Sequence, residues 1–335
     1  MDLNPALLKN LSNKSNKPSM PVSNLTSKVV AHKKGTKLMG NHFEFCVVSE
    51  DELWAAKQIE LSIKEIQRIE RLLTTFKDDS QTNQINAMAG ISPVPVDKEV
   101  YDLIFRSKKI SDITQGAFDI TYGSLDKKFW NFDTKMTSLP DRETAKASVK
   151  LINYKNVILD PEHQTVFLKE KGMRIGFGGI GKGYAADKAR ELMQKNGVES
   201  GFVNASGDLS AWGDQPNGSP WTIGIAHPDF KDHAFSYLKI SGLAVATSGS
   251  YEKFALIDGK KYSHTIDPKT GFPVSGIKSV TIISPSAELS DAMATPVTVM
   301  GIDTGLHMIN QMKGIACIIV DDNNKVYTSK NIRLN

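Results

Sequence analysis

The run GFGGIGKGYAADKA, residues 176–189, is the feature that most constrains the fold. Glycines at 176, 178, 179, 181 and 183 let the backbone turn sharply and be approached closely, and the alanine-rich continuation is helical. The chain therefore passes from a glycine loop directly into a helix start, where unpaired N–H groups and the helix dipole can face an anion with Lys182 alongside. The spacing is not that of a Walker loop, which needs Ser or Thr after the lysine where this chain has Gly183. Nor is it the dinucleotide fingerprint of a chain-initial βαβ unit. Two readings stay open at this point: a phosphate-binding loop, and a packing device that lets two elements approach.

The flanking segments predict the architecture. Residues 1–36 are polar and broken by prolines, the pattern of a flexible basic tail, with a single domain over 37–335. HFEFCVV (42–48) alternates as a strand, and Ser49 with Glu52 forms a capping-box pattern opening a long helix whose buried stripe is Ile59, Ile63, Ile66, Ile69 and Leu73. A polar loop is expected over 75–86, then a second amphipathic helix from about Asp97. Residues 154–168 read as two strands joined at Asp160-Pro161, and a third helix ends at Gly197, the expected left-handed cap. From Phe202 onward short strands dominate, interrupted by one helix, LSDAMATPVTVMG. Helices early and strands late predict an α+β fold, helices packed on largely antiparallel sheet.

Composition narrows the partners. The formal charge of +4 comes from 41 basic against 37 acidic residues, and many lysines lie in the N-terminal tail, so no nucleic-acid surface is expected. Cys46 and Cys317 sit in apolar strand-like runs and suit buried free thiols rather than a disulfide or a cysteine metal site. No eighteen-residue apolar run occurs, so no transmembrane segment is expected. The first forty residues lack a continuous apolar signal region, which leads to the expectation of a cytoplasmic protein, or a periplasmic one if the sequence is a trimmed mature form.

Five further segments can carry chemistry. In LSDAMATPVTVMG, Asp291 and Thr295 stand one helical turn apart, two hard oxygen ligands suited to Mg²⁺, which completes its shell with waters and phosphates. A capping Asp and a back-bonded Thr would give the same pattern, and Pro296 removes one helical hydrogen bond nearby. In SHTIDPKTGFPV (263–274), Pro268 holds Asp267 extended ahead of a tight turn that fixes His264. TQGAFDITYGSL (114–125) offers a ring at Phe118 and an acceptor at Asp119; NASGDL (204–209) and ATSGSYEKF (246–254) are polar turns after buried strands.

GAFDIT, GGIGKGYAAD, NxSGD, ATSGSYE, SHTIDPKTG and DAMAT, in that order over roughly residues 38–330, resemble the ApbE family of flavin transferases. The resemblance implies an ApbE-like, T-fold-like architecture with an FAD site between two lobes. It implies an enzyme that cleaves FAD and attaches FMN through a phosphoester to a Ser or Thr of a target flavoprotein, releasing AMP with the help of Mg²⁺. By position, Asp291, Thr295, Gly179 and Ala294 correspond to metal ligands, the last two through the backbone. Met39, Phe76, Ala117, Phe118, Asp119, Gly176, Lys182 and Thr265 fall where the family holds FAD, although Gly176 stands where the family has Asp. His264 corresponds to the base, with Asp267 orienting the turn or the imidazole. Family acceptors resemble Asp-Gly-x-Ser/Thr-Gly-Ala-Ser/Thr, a stretch this chain lacks. FAD hydrolysis to FMN and AMP, and flavin binding without catalysis, are the alternatives; the second would need neither His264 nor the Asp291/Thr295 pair.

Overall fold

Strand periodicity organises the molecule. In residues 41–49 the side chains of Phe43, Phe45 and Val47 point to one face and Cys46 to the other, and all four are fully buried. A sheet apolar on both faces needs cover on both, and the computed structural model supplies it. It describes residues 29–126, 128, 130, 138–227, 230–249 and 254–332.

The first half comprises β1 (Val30–Leu38), β2 (Asn41–Ser49), α1 (Glu52–Leu73), α2 (Gln81–Ala87), β3 (Val94–Pro95), α3 (Lys98–Ile113), α4 (Arg142–Ser148), β4 (Val157–Asp160) and β5 (Thr165–Leu168). Then come α5 (Gly181–Lys195), β6 (Gly201–Ala205), β7 (Asp208–Trp212), β8 (Trp221–His227), β9 (Phe230–Ile240) and β10 (Ala244–Gly249). The chain continues with β11 (Phe254–Ile257), β12 (Lys260–Ser263), β13 (Ile277–Ser284), α6 (Ala287–Met300), α7 (Ile302–Ile309), β14 (Ala316–Asp321) and β15 (Val326–Thr328).

Eight strands form one antiparallel sheet in the order β1-β2-β6-β7-β10-β13-β14-β15. Helices α1, α5 and α6 cover one face, burying Ile59, Ile66, Ala186 and Val297 with Phe43 and Phe45 in the main core. Fully burying a large apolar side chain there contributes roughly 1.5–3 kcal/mol. The other face carries Cys46, Phe202, Leu209 and Ile318, closed by Trp221 and Ile240 of the β8–β9 hairpin. The fold is thus α+β with antiparallel sheets, as the sequence predicts. Cys46 and Cys317 are free and buried, and burial pushes each thiol up to about 12.

Several local expectations are corrected. The tail boundary at residue 36 falls inside β1, because residues 30–38, polar as they are, pair along their whole length with β2; residues 1–28 lie outside the described part. The cap of α1 is Asp51, whose carboxylate accepts the Trp54 N–H at 2.9 Å, while Ser49 is still the last residue of β2. The polar stretch 75–86 contains the start of α2, capped by Ser80. Pro296 sits within α6 and the helix runs on to Met300. No described helix is long and apolar enough to cross a membrane.

Candidate functional site

Helix α5 begins without a side-chain cap from its own N-cap residue, Ile180. Its cap comes from α6: the Gly183 N–H donates to Oδ2 of Asp291 at 3.1 Å. Only glycine permits this approach, since a Cβ on residue 183 would lie 2.1 Å from the Ala287 carbonyl oxygen and 2.8 Å from Cβ of Asp291. The last glycine of the loop is therefore a packing glycine, and the anion facing this turn of α5 is an internal carboxylate.

Lys182 takes part in the same cluster. Its ammonium pairs with Asp208 Oδ2 and lies 3.3 Å from Asp291 Oδ1, with side-chain exposures of 24% for the lysine, 5% for Asp208 and 8% for Asp291. Burial opposes the lysine's charge, but the two carboxylates outweigh it and hold the ammonium well above its ordinary value. Burial, reinforced by the neighbouring Asp291, pushes Asp208 up to about 7. Lys182, expected to meet a phosphate, is here part of a buried triad with Asp208 and Asp291. Asp208 has no role assigned to it by the sequence reading; its signal there is its place at the end of the NxSGD element, after a Ser-Gly turn in which Ser206 and Gly207 both have positive φ.

Upstream of the helix, the loop is open. The N–H groups of Phe177, Gly178 and Gly179 have no protein acceptor among the described residues, and a Cβ on Gly178 would meet nothing within 4 Å. The carbonyl of Gly179 likewise lacks a protein donor, because the Gly183 N–H that would close the preceding turn goes to Asp291 instead. The Thr295 hydroxyl, one turn along α6 from Asp291, also has no protein partner. The Ala294 carbonyl, by contrast, accepts the Thr298 hydroxyl at 3.0 Å. The Asp291 carboxylate, the Thr295 hydroxyl and the Gly179 carbonyl are each oxygen donors of the kind a hard cation takes. Among the described residues no group of three or more His, Cys, Asp or Glu could hold a metal, so such an ion would need phosphate oxygens or waters to complete its shell.

The remaining candidates divide into those that meet this loop and those that build its support. A Cβ on Gly179 would touch the Phe118 ring at 3.5 Å, and one on Gly181 would lie 3.6 Å from Cε of Met39. Met39, Phe118 and the glycine loop therefore converge. Ala117 and Phe118 are buried, whereas Phe76 is 94% exposed, one residue beyond Thr75, whose methyl group would lie 3.8 Å from a Cβ on Gly176. The Asp119 carboxylate is engaged internally: it accepts the Thr121 N–H and hydroxyl at 2.8 and 2.6 Å and the Tyr154 N–H at 2.9 Å. Burial still leaves its carboxyl above the ordinary range. Asp119 thereby caps a 3₁₀ helix, Ile120–Ser124, against which the loop rests through the Gly176 N–H to the Ile120 carbonyl at 3.1 Å.

That 3₁₀ helix also carries the histidine turn. The Ile266 N–H donates to the Tyr122 hydroxyl at 3.1 Å, and Ile266 and Phe272 pack with Leu125, Trp130 and Ala145. His264 is exposed just beyond β12, and Thr265 beside it is buried. The Asp267 carboxylate closes its own turn, accepting the Lys269 N–H at 2.8 Å and the Thr270 hydroxyl at 3.0 Å. Asp267 is thus a turn-building residue, in keeping with the first of the two roles expected for it. Gly271, at φ +77°, sits where a Cβ would lie 1.9 Å from the Ala145 carbonyl oxygen. Of the ATSGSYEKF segment, residues 250–253 lie outside the described part.

The fold and the site together define an α+β protein in which a glycine loop, with N–H groups at 177–179 that have no acceptor among the described residues, leads into a helix capped by Asp291. The chain belongs to the ApbE family, which it matches over residues 39–319. It is 34% identical over 299 residues to an FAD:protein FMN transferase of Klebsiella pneumoniae, covering 89% of this chain and 91% of that one. The fold is similar to that of the ApbE protein of Thermotoga maritima, with a TM-score of 0.80 at 31% identity, covering 90% of this chain and 97% of that one. It is also similar to the flavinyl transferase ApbE of Pseudomonas stutzeri, with a TM-score of 0.79 at 27% identity, covering 90% and 95% of the two chains.

Proposed function

We propose that the protein is an FAD:protein FMN transferase that uses Mg²⁺, attaching FMN to a Ser or Thr of a flavoprotein and releasing AMP. The observation that carries this reading is the trio of N–H groups at Phe177, Gly178 and Gly179 that have no acceptor among the described residues, in the loop that leads into the helix start held by Asp291. The N–H groups receive the pyrophosphate of FAD, with Met39 and Phe118 walling the nucleotide. Asp291, Thr295 and the Gly179 carbonyl would hold the metal, which would supply Lewis-acid stabilisation of the charge on the pyrophosphate. His264 accepts the proton of the acceptor hydroxyl as its oxygen forms a bond to the flavin-side phosphorus. The bridging P–O bond breaks, and AMP leaves with the bridging oxygen. Tyr122 and the Asp267 turn hold His264 in place relative to the glycine loop, through the one 3₁₀ helix that both contact.

The acceptor is a protein segment resembling Asp-Gly-x-Ser/Thr-Gly-Ala-Ser/Thr. Incubation with FAD, Mg²⁺ and a polypeptide carrying that segment tests the reading: the intact mass of the acceptor should rise by one FMN less one water as AMP is released. AMP and free FMN with an unmodified acceptor would identify a hydrolase, and stable binding of intact FAD a carrier.

A further inference from the structure

Asp291 offers two oxygens, and they have different partners. Oδ2 is fixed by the Gly183 N–H at 3.1 Å, so it is tied to the start of α5. Oδ1 faces the Lys182 ammonium at 3.3 Å, with Asp208 close by on the lysine's other side. Lys182 is held more closely by Asp208, through Oδ2. Two buried carboxylates thus share one cation, and that cation leans toward the carboxylate that is not among the expected metal ligands.

Two buried like charges without a counter-ion are strongly unfavourable, so whenever both Asp208 and Asp291 are ionised a cation must stand between them. A divalent ion arriving at Asp291 must compete with the ammonium at Oδ1. How readily the ammonium yields depends on whether it keeps a partner when it does. Asp208 supplies that partner. Only the looser of the two contacts has to break, and the lysine's charge stays neutralised within hydrogen-bonding reach of where it began.

We propose that Lys182 is a resident counter-cation of the metal site and that Asp208 is a positioning residue that draws it off Asp291 when a divalent ion binds. The proposal rests on the reading of Asp291 as a metal ligand. It assigns Asp208 an indirect role, through Lys182, and gives opposite signs to changes at the two residues. With Asp208 neutral, Lys182 pairs with Asp291 alone and resists displacement; with Lys182 neutral, Asp291 has no internal competitor.

The test is binding of Mn²⁺ to the full chain without FAD, read by loss of the free-ion electron paramagnetic resonance signal. Asp208→Asn should weaken binding by about tenfold or more, the scale on which residues behind a metal ligand act. Lys182→Gln should tighten it, and the double variant should return toward the wild-type affinity. That rescue is the readout that loss of local structure would not produce, and circular dichroism of each variant checks the fold. Should Asp208→Asn fail to fold, the tightening by Lys182→Gln alone still has to be seen. Asp291→Asn separates the two levels of the argument. If it abolishes Mn²⁺ binding while Asp208→Asn binds like wild type, or the double variant stays as weak as Asp208→Asn, the counter-cation role is wrong and the metal site stands. If Asp291→Asn binds as wild type does, the metal assignment fails and the counter-cation role fails with it.

Discussion

The Gly183 N–H donates to Asp291 Oδ2 across the contact between α5 and α6, joining residues 108 apart in the chain. This one bond has three consequences. It caps α5 with a carboxylate from another helix, it orients that carboxylate, and it leaves the Gly179 carbonyl without its helical donor. A glycine loop that reads locally as a phosphate cradle is therefore divided in function. Its first half, 177–179, keeps unpaired N–H groups, while its last glycine locks the acidic residue in place.

Gly183→Ala tests the packing half. A methyl group 2.1 Å from the Ala287 carbonyl oxygen must push α5 and α6 apart. The cost expected of such overpacking is about 1–3 kcal/mol or more, read as a lower midpoint in urea unfolding, and FAD turnover should fall with it. An unchanged midpoint would mean that the two helices do not approach as closely as described.

Asp291→Asn tests the charge rather than the bond, since an amide oxygen can still accept the Gly183 N–H. The variant should remain folded and lose Mg²⁺-dependent AMP release by more than about 10²-fold, the scale of losing several kcal/mol of Lewis-acid stabilisation. Chelation of divalent ions with EDTA should do the same to the wild-type protein. Full metal-dependent release by the variant would remove Asp291 from the ligand set.

His264→Ala separates binding from transfer. FAD affinity measured by calorimetry should be retained, while FMN transfer to the acceptor falls by about 10²-fold or more, as expected on loss of a general base. A variant that transfers at the normal rate would make the histidine structural.

Asp267 distinguishes a turn from a catalytic carboxylate. Asparagine at this position can still accept the Lys269 N–H through its amide oxygen and donate its amide N–H to the Thr270 hydroxyl oxygen, so Asp267→Asn should keep most of the transfer rate. Asp267→Ala loses both bonds and should cost about 1 kcal/mol in stability as well as slowing transfer through a looser His264. A silent Asp267→Ala together with an inactive Asp267→Asn would reverse the assignment.

Much of the architecture was legible from local pattern. The isoleucine stripe of α1 is buried as its spacing predicts, the alternation in 42–48 gives β2, and the Asp160 carboxylate turns β4 into β5 by accepting the Glu162 and His163 N–H groups. These features depend on residues within a few positions of one another, where period and turn chemistry act directly. The order of the glycine loop, the histidine turn and the DAMAT helix likewise carried the family resemblance.

Other features were settled only by long-range packing. Residues 30–36 have the composition of a tail and become a strand because β2 offers them a partner edge. Asp119 reads as a ligand acceptor and is instead committed to Thr121 and Tyr154, the second of them 35 residues away. Lys182 reads as a phosphate contact and is held by Asp208 and Asp291, which stand 26 and 109 residues further along the chain. Sequence by itself determined most of the helices, strands and turns, and supplied the donors and acceptors. Tertiary structure decided which of them meet, because a buried charge takes the nearest compensating partner that packing provides, however far along the chain that partner lies.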